Sequence, residues 1–375
     1  MTPTRADFLS YYVADKYFWL TENNYKTTLL SWAYILISLI TTFANLNYLH
    51  TAYYVEAQFA DIVLNLSWLG TTLIGTIIML HFKFAVQTGN YVWYLMETQL
   101  FVDLQSDLQH MVNISNSVFK SGLKLGFLGF VSAFIAREQE SCDENSRKNV
   151  CGLIYPSNLF IDLSQRPYRE VYHIFVWITY WYLFAATITC CSFLHTLMLL
   201  TEVCVKKFKL ILKESQDIQN KEMRLNKLIE AYKLQQNIKI GWDKVTDLFK
   251  WPLLLQYLTS GVTVALILTA EINHYNLPLV PVFLVHIIGT VTCGFFATEM
   301  EQYSEEFRHA TFYAIPWDGD VESAKFLIFM NMNLHNVFTL PLVNFAVHSN
   351  EQVLLTFKMT YTIVMCLINL TQKEA

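Results

Sequence analysis

Long apolar runs alternate with polar ones along this chain, and the apolar runs share a characteristic length. Seven windows approach or exceed the ~20 mostly apolar residues that a helix needs to cross a hydrocarbon core about 30 Å thick: Leu29 to Leu49, Ile62 to Phe82, Val118 to Ala136, Val171 to Val203, Trp251 to Ala270, Leu279 to Thr298 and Val353 to Leu370. Between the fourth and fifth windows the rhythm changes. There Ile211, Ile218, Leu225, Leu228, Ile229 and Tyr232, then Trp242, Val245, Leu248 and Phe249, recur at helical spacing, which predicts amphipathic helices with a face to bury. Before the last window, "SAKFLIFMNMNLHNVFTLPLVNFA" is long enough to span. However, Asn331, Asn333, His335, Asn336 and Pro341 would set polar groups against lipid. It is predicted as a helix packed among the amphipathic ones. The expected fold class is an all-α membrane protein: one domain over residues 1–375 with seven transmembrane helices and a helical anchor from about 204–250 and 299–346.

Composition supports a bilayer setting. The chain is 54% hydrophobic and only 15% charged, where soluble proteins carry about a quarter charged residues. The opening "MTPTRADFLSYYVADKYFWLTENNYK" is aromatic and mixed in charge, unlike a removable signal peptide. Lys and Arg then set the orientation. The N-terminal segment carries Arg5, Lys16 and Lys26, the first loop none, and the second Lys83 and Lys120. The third loop has five basic residues outnumbered by six acids, the fourth has eleven basic residues, and "EINHYNLP" has none. The basic excess lies inside only if the N-terminus is cytosolic and the C-terminus extracellular, the reverse of a G-protein-coupled receptor.

Cys142 and Cys151 are the two cysteines in a polar loop, which this orientation places in the oxidising exterior. They are either a disulfide or two free thiols. The remaining five sit in or beside apolar windows as small hydrophobes. No metal spacing and no enzyme motif of the GxxxxGK[ST], HExxH or GxSxG kind occurs, so neither catalysis nor a cofactor is expected. Gly122 and Gly126 form a small-xxx-small face within a span, the signature of close helix packing rather than of a nucleotide loop.

At the C-terminus the order "FYAIPW", an apolar helix with Met330 and Met332, "TLPLVNF" and "FKMTYTIVMCLINL" is similar to the signature of insect odorant receptors. The resemblance is strongest over the final seventy residues, and the span count, topology, length and basic loop extend it along the chain. It departs from the family where Asn331 to Asn333 stand in place of a basic or hydroxyl residue, and in lacking Trp-Tyr after the first aromatic. Insect gustatory receptors share part of the closing pattern and are the alternative; a metabotropic chemoreceptor is a more distant one.

The resemblance implies the odorant-specific tuning subunit of a tetrameric, odorant-gated, non-selective cation channel in a sensory-neuron plasma membrane. Its partners would be a shared co-receptor, a small volatile odorant and the bilayer, with no nucleic acid and no G protein. The helix at about 347–370 would line the fourfold axis. Matching the family's Thr-Tyr to Thr360-Tyr361 sets its hydrophobic gate at Val364 and Ile368, with Leu367 where the co-receptor has a polar pore residue. Lys358, deeper in that helix, either serves the pore or snorkels to the interface. The family's odorant pocket lies among the second to sixth spans. There Trp68, Thr72, Phe130, Phe134, Trp177, Tyr180, Trp181, Phe283 and His286 supply the apolar surface with a few polar groups that ligand sites need, although interfacial belts and packing use the same residues. Such walls predict a small neutral aromatic ligand.

Overall fold

Each of the seven apolar windows lies inside a helix, and several of the helices are much longer than their windows. The computed structural model describes residues 25–52, 59–84, 105–138, 153, 157, 166–273, 279–316, 318–334, 338–343, 346–347 and 349–374. The helices are α1 (Tyr25–Ala52), α2 (Phe59–Phe84), α3 (Gln105–Glu138), α4 (Tyr168–Asp217), α5 (Lys221–Asn273), α6 (Leu279–Tyr313), α7 (Val321–Met332) and α8 (Asn350–Glu374). Among the described residues, α1, α5 and α8 contain windows long and apolar enough to cross a membrane by composition alone.

α4 and α5 are 50 and 53 residues long, which at 1.5 Å per residue is about 75–80 Å, more than twice a hydrocarbon core. The amphipathic helices expected between the fourth and fifth spans are therefore continuations of the flanking helices, joined by a short turn. Asn220 caps the second of them, its Oδ1 accepting from the backbone N–H of Glu222 at 3.0 Å and of Met223 at 3.2 Å, the usual service of an Asn at a helix start. Of the apolar positions read there, Ile211, Leu228, Trp242, Val245, Leu248 and Phe249 are buried in one hydrophobic cluster with Phe307, Leu327, Met330 and Phe338.

The segment from Ser323 to Ala346 departs from the expected single helix. α7 covers only its first part and stops at Met332. The chain then folds into a two-stranded antiparallel ribbon, Pro341–Leu342 (β1) with Ala346–Val347 (β2). Asn333 caps α7 with its backbone N–H bonded to the carbonyls of Met330 and Asn331. Pro341 has no N–H to continue a helical ladder and clashes with its preceding turn, so one helix could not run through the whole segment.

Arg224 ties this region to α5. Its guanidinium reaches Asp318 at 2.7 Å and Asp320 at 3.2 Å, and Nε donates to the Ile218 carbonyl at 3.1 Å. Gly319 sits between the two acids at φ +79°, backbone that glycine adopts without steric cost, and Asp320 N-caps α7 by accepting from the Ser323 N–H. The hydrogen bond from Arg224 holds the Asp318 carboxyl below the usual carboxylate range, and Ser323, together with the charge of Arg224, does so for Asp320.

Candidate functional site

The seam between α1 and α2 is closed by hydroxyls. Ser38 pairs with Thr76 at 2.8 Å, and Thr42 donates to Thr72 at 3.3 Å. Thr72, one of the expected ligand contacts, is fully buried in this seam. Further along, Asn65 donates to Asn45 at 3.1 Å, Ser157 donates to the same Asn45 oxygen at 2.8 Å, and Tyr172 donates to Ser157. Tyr172 and Asn65 are thus buried members of one polar network.

The aromatic residues of α4 form a linked set. Tyr180 stacks on Trp68 of α2 with centroids 6.1 Å apart and on Phe184 at 5.7 Å, while Trp181 meets Trp177 at 6.3 Å and Tyr180 at 6.1 Å edge to face. Offset and edge contacts of this kind add ~0.5–1.5 kcal/mol per pair beyond area burial. The Tyr180 hydroxyl donates to the Gly126 carbonyl at 3.0 Å. The structure therefore brings Trp68, Trp177, Tyr180 and Trp181 together. His286 is separate, buried against Ser260 of α5 with Nδ1 at 3.1 Å from its hydroxyl, and Phe283 is half-buried. Cys142, Cys151 and the side chains of Phe130 and Phe134 lie outside the described residues.

A cavity of about 700 Å³ opens among α3, α4 and α6, within the size range of small-molecule sites. Among the described lining residues are none of the seven expected contacts whose side chains are described. Phe184 and Ile188 of α4 wall one side, with Leu125 and Leu128 of α3 and Leu284 and Ile288 of α6 around the opening. Gly122 and Gly126 bring α3 against α4 beside it. A Cβ on Gly122 would stand 3.0 Å from Ile188, and one on Gly126 would fall within the Phe184 ring, so the small-xxx-small face is a close contact as its spacing implies. Gly289 behaves differently, since a Cβ there would meet nothing within 4 Å. The cavity could have been found in the sequence only through its small residues, which permit either close approach or empty space and do not announce which.

α8 docks with one face. Gly261 admits it to α5, where the Thr360 hydroxyl donates to the Gly261 carbonyl at 3.2 Å, and Gly294 of α6 receives Val353 in close contact. Val353, Thr356, Thr360 and Val364 form the buried stripe, and Val364 is only 6% exposed. Leu367 and Ile368 are half-exposed at its margin. The opposite face, with Lys358, Thr362, Met365, Cys366 and Asn369, is exposed.

No protein-family model matches this sequence. No curated protein matches it either. Among solved structures, the chain is similar to the insect olfactory receptor OR5 from Machilis hrabei in complex with eugenol, at TM-score 0.77 and 12% identity over 94% of both chains. It is equally similar to a second structure of that receptor, at TM-score 0.77 and 12% identity over 93% of this chain and 90% of that one. The chain has the all-α fold of that olfactory receptor over nearly its whole length, and its apolar helices make it a multi-pass membrane protein.

Proposed function

We propose that this chain is an odorant-binding tuning subunit of a heteromeric, odorant-gated, non-selective cation channel, completed by a shared co-receptor in a sensory-cell plasma membrane. The observation that carries the reading is the coincidence of two features. The chain has the fold of an insect olfactory receptor over 94% of its length, and it holds a 700 Å³ apolar cavity between three of its membrane helices. The similar receptor was solved with a small volatile, eugenol, and a neutral volatile is the ligand class an uncharged cavity in a membrane protein suits.

In this reading the chain crosses the membrane seven times with a cytosolic N-terminus. The ends of α4 and α5, with α6, α7 and the ribbon, form the anchor beneath the bilayer. α8 is the pore element, and Val364, Leu367 and Ile368 are its candidate gate. Aliphatic rings block ions by excluding water, and opening needs only that the helices separate or turn.

Current recording in cells expressing this chain with and without an insect odorant co-receptor, across a panel of volatiles, tests the proposal. Odorant-evoked cation current that persists without intracellular nucleotide and requires both chains is the expected result. A response that depends on G-protein signalling would overturn the channel reading, as would surface-expressed complexes silent to every volatile.

A further inference from the structure

The cavity is chemically divided along its length. Because Gly122 faces Ile188 and Gly126 faces Phe184, residue numbers rise along α3 as they fall along α4. His195 stacks on Phe296 with centroids 4.3 Å apart and Phe208 meets Phe307 at 4.3 Å, so α4 and α6 run in the same direction. Among the described residues, one end of the cavity is therefore lined by Ser117, Ser121, Ser192 and Thr292 with the thiols Cys191 and Cys293, beside the apolar Val118 and Phe296, and the other by Leu125, Leu128, Phe184 and Leu284. From residue 117 to residue 129 of α3 the lining extends about 18 Å at 1.5 Å per residue. Among the described residues, no charged side chain lines it.

From this division we infer that the cavity binds an elongated, neutral amphiphile: an aliphatic chain with one hydrogen-bonding head, such as an unbranched alcohol or aldehyde. The head lies among the hydroxyls of α3, α4 and α6 and the chain runs towards Leu125 and Leu284. The inference rests on the odorant-receptor reading and gives its ligand a class.

Flat aromatic ligands fit the described lining less well, because the two aromatic residues among the described wall residues are already engaged. Phe184 stacks on Tyr180 with an interplanar angle of 5° and covers Gly126, and Phe296 stacks on His195 at 16°. The rest of the apolar wall is Leu, Ile and Val, which rewards methylene groups rather than ring faces. The hydroxyl end favours a ligand that brings its own polar group, since burying such a group unpaired is costly. An ionised head would be expelled for the same reason.

Gly289 supplies a probe that leaves the packing intact. A side chain there enters empty space, and replacing a helical glycine with leucine favours the helix. The test is made on the full chain co-expressed with the co-receptor, with two readouts. In current recordings, 1-hexanol, 1-octanol and 1-decanol should activate at concentrations falling about fourfold per methylene, below those of a phenol or an indole with as many heavy atoms. Gly289→Leu should remove most of the gain from the longer chains at unchanged surface expression. Thr292→Val should weaken the alcohols while sparing the dependence on chain length.

In the purified complex, a photoactivatable diazirine-bearing octanol should label peptides of α3 or α6, with 1-octanol competing and Gly289→Leu abolishing the label. Competed labelling without odorant current would support this ligand class and count against the channel. Odorant current with phenol or indole preferred over the alkanols would overturn the ligand class and leave the channel standing, as would labelling indifferent to 1-octanol or to Gly289→Leu.

Discussion

At the scale of single residues, glycines set the geometry of the bundle by doing opposite things. Gly126 and Gly294 have their missing side chains replaced by Phe184 and Val353 of neighbouring helices, whereas Gly289 leaves space unfilled. A sequence marks all three identically, which is why close packing was legible at Gly122 and Gly126 and the cavity was not. The aromatic residues carry a related ambiguity. Trp68, Tyr180 and Trp181 pack on one another beside the cavity, and density in a sequence does not tell a packed girdle from a ligand-lined wall. Val364 leads to a prediction at this scale. Its side chain is buried on the face that α8 turns to α5 and α6, so it can reach a channel axis only if α8 turns. On a Cys366→Ser background, which removes an exposed thiol, Val364→Cys should react with a charged thiol reagent at least tenfold faster during odorant application than at rest. Thr362→Cys should react in both states. Equal rates for Val364→Cys in the two conditions would show that it stands at the axis without any rotation, and no reaction in either would leave it a packing residue.

At the scale of elements, the helices of the apolar windows and the amphipathic helices between the fourth and fifth were legible, and their continuity with one another was not. Hydropathy falls at Val203 and rises again at Trp251 because charged residues begin and end there, but Lys, Glu, Gln and Leu are all good helix formers, so the helices run on through the boundary. The opposite error occurs after Met332, where apolar residues continue but Asn333 and Pro341 end the helix. The continuation also changes which residues a partner subunit would meet. Leu228 and Phe249, natural choices for an interface from their periodicity, are fully buried within the chain, so a charge at either should disrupt folding itself. Met332 and Tyr313, in contrast, are 78% and 71% exposed on the anchor. Met332→Asp and Tyr313→Asp should each reduce co-purification with the co-receptor severalfold while the chain remains soluble in detergent and monodisperse. Full recovery of the complex with both substitutions would mean that subunits join elsewhere.

At the scale of the whole molecule, the proposed direction through the membrane rests on charge and length together. The eleven Lys and Arg residues between the fourth and fifth apolar windows lie on the ends of α4 and α5 that continue beyond the bilayer, next to the Arg224 junction with Asp318 and Asp320. Such a basic mass is retained on the cytosolic side during insertion. With α4 and α5 antiparallel neighbours across a short turn, that single assignment orients every other span. In the proposed reading the N-terminus then falls inside and the C-terminus outside. Epitope tags at the two ends of the expressed chain should show this directly, the C-terminal tag being stained on intact cells and the N-terminal tag only after permeabilisation. The reverse staining would put the anchor and its basic residues outside. It would remove the cytosolic base on which subunits are proposed to join, and it would make a receptor of the G-protein-coupled orientation the better reading of the same seven apolar windows.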